Sequence, residues 1–330
     1  MDAKLLDLAC KLYDTSSDKL IPLTGGHYNA VYEFPAGLGA ISGILRIGVE
    51  EDPAEQTLGM LEWVKFLNDE GAPVTAPLKS VHGNIMERLE HDDQWYTITA
   101  FEKAEGTLAE NILPSTWTDD LFHAIGRAVG QFHAISKNYQ PSQPDLTRRQ
   151  WYDSYEITHA TSQLANLANP AKEKLAELLI DLTSLPKSPE DYGLIHDDLH
   201  FANFLVSPNG QVTVIDFDDC GYGWFVIDVA MALFDVMVLY NPQSDEQGQN
   251  FARRFMRRYL SGYREHNQLT PFWQSQIGSF LKLKELCIYA DLIDHPGIQD
   301  TNSWVGRFMR GRADRVANDI PYVDIDFSDL

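Results

Sequence analysis

The chain has 330 residues, enough for two domains with separate cores, and its composition is 44% hydrophobic, 11% aromatic and 22% charged, as in ordinary globular proteins. Its three cysteines, Cys10, Cys220 and Cys287, are far apart, which argues against a disulfide framework or a cysteine-built zinc site. A net charge of −22 argues against nucleic acid or an anionic membrane as a partner and only weakly favours a cationic one, since many acidic proteins carry such charge for solubility.

The first residues, MDAKLLDLACKLYD, lack the long apolar stretch of a signal peptide and predict an amphipathic helix over 2–13, with the cytoplasm as the expected compartment. Short β-rich runs follow at 20–23, 30–34 and 41–47. A helix is predicted over 53–68, because Pro53 suits a first helical turn and Leu58, Leu61, Val64 and Leu67 recur at helical spacing. Gly71-Ala72-Pro73 stops it. Strands are expected at 81–88 and 95–101, with Gly83-Asn84 as a tight turn. After Gly106 helical patterns dominate, at 117–136, 150–168, 171–184, 226–240, 248–265 and 271–292. The apolar run 224–240 contains Asp228 and Asp235, so it reads as a buried helix and not a membrane span. A smaller β-rich lobe therefore precedes a larger helical one, with the junction at 101–106.

Residues 194–219, LIHDDLHFANFLVSPNGQVTVIDFDD, carry the chemistry. Asn-Gly between the apolar runs 204–206 and 212–215 is a strong hairpin signal. Such a hairpin brings Asn203 and Asp216 side by side, with Asp198 on the loop before them. Two carboxylates and an amide suit a hard cation such as Mg2+. They also suit a hydroxyl that must be oriented toward a phosphoryl group. If the strand continued, Asp218 would fall on the same side as Asp216, either at a second metal or substrate or as a turn cap. His196-x-Asp198-x-His200, alternating on one strand face, would instead suit a transition metal, but no further ligands accompany it, so a metallohydrolase is the weaker alternative.

Taken together, His196-x-Asp198-Leu199-His200-x-x-Asn203, then Ile215-Asp216-Phe217-Asp218, then Asp228-Val229-Ala230, resembles the aminoglycoside phosphotransferase and choline kinase branch of the protein-kinase-like fold. The resemblance covers roughly 20–300, and FEKAEG and DFDDCGYGWF are similar to segments of bacterial homoserine-kinase-like and stress-response-kinase-like members. It implies an α+β, two-lobed protein-kinase-like fold, with a small antiparallel-sheet N-terminal lobe and a mostly helical C-terminal lobe. The division would be 1–101 for nucleotide binding, 102–106 as linker and 107–330 for the catalytic loop and acceptor.

By the same resemblance Asp198 is the catalytic aspartate, and Asn203 and Asp216 hold Mg2+ against the phosphates of ATP. Gly25 and Gly26 belong to the glycine-rich loop over the nucleotide, although a Gly-Gly pair alone more often marks a plain hairpin. Arg46 stands where kinases carry a strand lysine on the phosphates; read by itself it is an edge-strand arginine. The carbonyl of Glu102 and the amide of Ala104 would meet the adenine edge. Asp228 would anchor the catalytic loop, and His133 and His196 would pack beneath it. His200 lines the site or caps it. Two departures stand out: Met60 falls where the family carries a glutamate paired to the strand cation, and Asp197 replaces a usual glycine.

The function implied is an ATP- and Mg2+-dependent phosphotransferase acting on a hydroxyl of a small molecule: an amino alcohol, an amino acid or an aminosugar. Trp151, Tyr152, Tyr155, Trp304, Asp291 and Asp294 are candidate contacts for a cationic acceptor, though aromatics at helical spacing are more often core. Alternatives are a Ser/Thr protein kinase of the same fold and a nucleotide-binding module without transfer.

Overall fold

The computed structural model describes residues 1–23, 29–35, 42–50, 53–165, 167 and 169–330. Asp2 opens α1 (Ala3–Lys11) by accepting the amides of Lys4 and Leu5, which would otherwise lack partners at a helix start. Three strands follow, β1 (Ile21–Leu23), β2 (Asn29–Phe34) and β3 (Gly43–Val49), then α2 (Ala54–Asp69), β4 (Met86–His91) and β5 (Gln94–Glu102). They form one antiparallel sheet in the order β1-β2-β3-β5-β4. Strand alternation sends Leu45 and Ile47 of β3 into a core with Leu5, Ala9 and Cys10 of α1 and Ile98 and Ala100 of β5. The same alternation turns Arg46 to the other face of the sheet.

Two details differ from expectation. The β4–β5 hairpin turns at Asp92-Asp93, both at positive φ (50° and 61°), while the tight turn expected at Gly83-Asn84 lies before β4, with Gly83 at φ = 86° and its amide on the carbonyl of Ser80. Val81 is outside the ladder because its amide goes to the carbonyl of Leu12, while Ser80 and Asn84 close a separate small loop. The first compact unit comprises Met1–Gly106 together with Asn138–Arg148 and Thr213–Asp218.

The second unit comprises Thr107–Lys137, Arg149–Val212 and Asp219–Leu330. Its elements begin with β6 (Thr107–Leu108), α3 (Asp119–Ser136), α4 (Tyr155–Ala165), α5 (Pro170–Thr183), β7 (Tyr192–Ile195) and β8 (Phe204–Val206). After the Asn209-Gly210 turn comes β9 (Val212–Val214), whose last residue donates its amide to Pro73 in the first unit's own fold. β10 (Gly221–Trp224) then precedes α6 (Val226–Tyr240), α7 (Asp245–Tyr263), α8 (Pro271–Leu292), α9 (Trp304–Met309) and α10 (Arg312–Ala317).

Helix α6 is buried on nearly every side, which accounts for its apolar sequence. Helices α3 and α7 pack backbone to backbone. A Cβ on Gly126 would stand 1.9 Å from the carbonyl oxygen of Tyr259, and one on Gly130 would stand 2.4 Å from that of Tyr263. The expected helix over 150–168 is broken: a 3-10 turn at Trp151–Asp153 precedes α4, because Gln150 is held extended in a bridge to Tyr222. Among the described residues no helix is long and apolar enough to cross a membrane.

Candidate active site

In the second unit β7 pairs antiparallel with β10 and delivers the chain into the loop 196–200. β7 ends at Ile195, so His196, Asp198 and His200 do not share a strand face, and the expected alternation fails. The loop is held from below. Asp228, with no exposed surface, accepts the amide of His196 at 2.8 Å and that of Asp197 at 2.9 Å. His133 Nε2 lies 2.9 Å from the same carboxylate, and His133 Nδ1 lies 3.0 Å from the Tyr263 hydroxyl. Asn267 donates to that hydroxyl at 2.9 Å.

Burial pushes the His133 imidazole down, against the pull of Asp228, so the ring is neutral. One proton assignment satisfies every partner: Asn267 donates to Tyr263, Tyr263 to His133, and His133 to Asp228. His196 is buried as well, and its Nδ1 accepts the amide of Asp198 at 3.4 Å.

Asp198 turns the other way, and 37% of its side chain is exposed. His200 Nε2 lies 3.2 Å from its carboxylate. Enclosure raises the Asp198 carboxyl, but the hydrogen bond and charge of His200, with Lys284 beyond, outweigh it and hold the group well below the usual carboxylate range. His200 Nδ1 also accepts the amide of Ala202, so this histidine both caps the turn and faces the site. Asn203 Nδ2 donates to the carbonyl of Asp198 at 2.8 Å. The structure thus brings Asp198 and Asn203 together.

In the first unit Arg46 reaches two carboxylates, Asp216 at 3.3 Å and Asp218 more closely still. Burial lowers the guanidinium, and Asp218 and Asp216 more than reverse this. Asn29 also donates to Asp218 at 3.2 Å. β9 stops at Val214 and Asp216 takes φ = 64°, so Asp218 is not on a continuing strand with Asp216. Arg148 fixes this segment by donating to the Asp218 carbonyl at 2.6 Å and to that of Gln56 at 2.8 Å.

The missing helix glutamate is explained here. Met60 is core, and Glu62 is spent on the Tyr139 hydroxyl and the Ser142 amide. The cation takes its partners from 216–218 instead. Glu102 ends β5, with its amide on the carbonyl of Ala76, and Ala104 follows two residues later. Gly25 and Gly26 lie outside the described residues.

Sequence reading missed Arg149, Glu156, Lys284 and Asp235. Lys284 Nζ lies 2.8 Å from Glu156, and Asp235 accepts the amide of Phe201 at 2.8 Å. Burial raises the Glu156 carboxyl, with Lys284 opposing. A lysine in the mostly buried α8 and the tandem Arg148-Arg149 in so acidic a chain were the available signals. Of the expected aromatic contacts, Trp151 is core at 1% exposure, whereas Tyr155 is 64% exposed and stacks on His159. Among the described residues no three His, Cys, Asp or Glu side chains are grouped to hold a metal, so the transition-metal reading has no ligand set. Asp216, in the first unit, and Asn203, in the second, each carry an oxygen of the kind that a hard cation takes.

A family model described as Phosphotransferase enzyme family matches residues 19–269. The amicoumacin kinase of Bacillus subtilis (strain 168) is 31% identical over 278 residues, covering 84% of this chain and 81% of that protein. The solved structure of amicoumacin kinase hAmiN in complex with AMP-PNP, Ca2+ and Ami superposes with a TM-score of 0.87 at 28% identity, over 99% of this chain and 96% of that one. A microcompartment-associated aminopropanol kinase shares the fold, with a TM-score of 0.68 at 23% identity over 96% and 98% of the two chains.

Proposed function

Because the chain belongs to the Phosphotransferase enzyme family, with its α+β protein-kinase-like fold, we propose that Asp198 is the group that orients and deprotonates the acceptor of its reaction. The protein is an ATP-dependent kinase that phosphorylates a hydroxyl of a small molecule, with ATP and a divalent cation, typically Mg2+, as cofactors.

The observation that carries the role of Asp198 is its setting: an exposed carboxylate on a loop whose preceding two amides are tied to one buried aspartate. Held well below the usual carboxylate range, Asp198 stays ionised and accepts the hydroxyl proton. The hydroxyl oxygen then bonds to the γ-phosphorus, and the bond to the leaving ADP oxygen breaks. Asn203 and Asp216 would hold the divalent cation, which when bound offsets the charge of the phosphates. Arg46 would exchange its carboxylate partners for phosphate oxygens, and Gly25, Gly26, Glu102 and Ala104 would enclose the nucleotide. On this reading nucleotide binding is the work of 1–101, joined by 102–106 to the acceptor-binding 107–330. We place the enzyme in the cytoplasm, where ATP is supplied.

The acceptor we propose is an amine-bearing alcohol, with amicoumacin the first compound to test. The second unit gathers the carboxyl groups of Asp197, Asp198, Asp219, Asp235 and Glu156 around Arg149 and Lys284; burial raises Asp197, Asp235 and Glu156, and an entering ammonium group would favour their charged forms and be held by them. The test is coupled ATP turnover across amicoumacin, aminopropanol, aminoglycosides, homoserine and a generic protein acceptor. Turnover with an aminated alcohol supports the proposal. Transfer only to protein favours the Ser/Thr kinase reading, and nucleotide-induced stabilisation without any transfer favours the binding module.

A further inference from the structure

Asp197 precedes the proposed base and stands at φ = 66°, a left-handed conformation that costs most side chains and that aspartate and asparagine adopt less readily than glycine. Only 8% of its side chain is exposed, and burial drives its carboxyl well above the ordinary range, with Arg149 pulling the other way. A carboxylate kept in a strained and desolvated place beside a reactive group points to a function.

Arg149 Nη2 lies 3.2 Å from Asp197 Oδ2 and 3.6 Å from Asp219 Oδ1. Its Nε is buried and makes no hydrogen bond. The backbone of Arg149 is rigidly mounted, since its carbonyl accepts the amide of Tyr222 at 2.8 Å and Gln150 bridges the same strand. That strand, β10, pairs with β7, which leads straight into the base loop. A closed mechanical circuit results: β7, the loop 196–198, the Arg149 guanidinium, β10, and β7 again. Asp197 is fixed from two sides, its amide by Asp228 at 2.9 Å and its carboxylate by Arg149. The Cα of Asp198 is one peptide away, about 3.8 Å. Asp219 lies three residues after Asp216 in the chain, so one guanidinium joins the base loop to the segment that continues from the proposed metal aspartate.

We propose that Arg149, acting through Asp197, is a positioning residue that sets the direction of the Asp198 carboxylate toward the acceptor. The proposal rests on Asp198 being the base.

The test uses the full chain with Asp197→Gly, Asp197→Asn, Arg149→Met and the Asp197→Gly/Arg149→Met double variant. Asp197→Gly relieves the strain and is expected to melt no lower than wild type, yet to lose about 10-fold or more in kcat with the KM for ATP within about 2-fold. Asp197→Asn tolerates the left-handed conformation and still offers an oxygen to Arg149, so its kcat stays within about 3-fold of wild type. The double variant is expected to be no slower than the slower single variant, as for residues acting as one unit. Wild-type kcat in Asp197→Gly, no rescue by asparagine, or additive losses would each overturn the proposal. Amide hydrogen exchange over 196–200 reads the same pair without turnover, and Arg149→Met should quicken it by about 10-fold. Unchanged exchange overturns the pair even where transfer is seen. Quickened exchange in a protein that transfers phosphate to nothing leaves the pair standing and removes the kinase reading instead.

Discussion

Asp228 and His133 meet at 2.9 Å with neither side chain exposed, and the same carboxylate accepts two consecutive amides of the loop 196–200. Asp228→Ala would orphan both amides and the imidazole. Each buried unpaired group costs about 1–3 kcal/mol, so a loss of several kcal/mol is expected in denaturant unfolding. Asp228→Asn retains one acceptor and should lose markedly less. Equal stability of the alanine variant and wild type would show that the loop is held by other means.

The neutral state of His133 makes stability depend on pH in a definite direction. Burial keeps its folded-state affinity for protons below the ordinary histidine value. The unfolded chain therefore binds more protons as pH falls through about 6.5, and this contribution to stability, present above that range, is lost below it. Comparing the melting temperature of wild type and His133→Gln from pH 7.5 to pH 5.5, roughly the window in which histidine titrates, isolates this contribution. The wild type should fall more steeply than the variant; parallel curves would mean that the ring binds protons equally in the folded and unfolded chain, and a shallower fall that it is protonated in the fold.

Arg46 is shared between Asp216 and Asp218 and lies on the face of β3 opposite the core residues Leu45 and Ile47. Arg46→Met should raise the KM for ATP by about 10-fold or more while leaving the fold intact, because it removes the cation proposed to take the phosphate oxygens. Arg46→Lys should recover only part, since lysine lacks the planar fork that spans two oxygens. An unchanged KM in both variants would make Arg46 a structural ion pair alone.

Much of this was legible in the chain. The spacing of Leu61, Val64 and Leu67 located α2, and the helical stretches expected at 226–240 and 271–292 matched α6 and α8 end to end. Periodicity reports the buried face of a long helix directly. The anchoring roles of Asp228 and His133 were also readable, because they followed from a motif with fixed order. The failures have a common cause. The break at Ser154 and the partners of Arg46 are set by contacts between distant segments, such as Gln150 with Tyr222 and Arg46 with Asp216. No local propensity encodes these. Arg149, Glu156 and Lys284 escaped notice for the same reason: each is an ordinary charged residue until the fold sets it beside a partner.

The packing of α3 on α7 offers a test independent of chemistry. Gly130→Val would force side-chain atoms into the Tyr263 carbonyl, where even a Cβ would stand at 2.4 Å. The expected cost is about 1–3 kcal/mol or more, as for overpacking in general. Tyr263 also feeds the chain of hydrogen bonds to Asp228, so the loop's amide exchange should quicken in parallel. A variant as stable as wild type would mean that α3 and α7 can part without loss.

The central claim is that Asp198 accepts the proton of the attacking hydroxyl. Single-turnover phosphate transfer by Asp198→Asn, with ATP and the acceptor that the turnover screen selects both saturating, measures that step apart from binding. The expected result is a rate lowered by about 100- to 10,000-fold, the usual contribution of a general base, with ATP bound as tightly as by wild type. Transfer by Asp198→Asn at the wild-type rate would contradict the assignment outright.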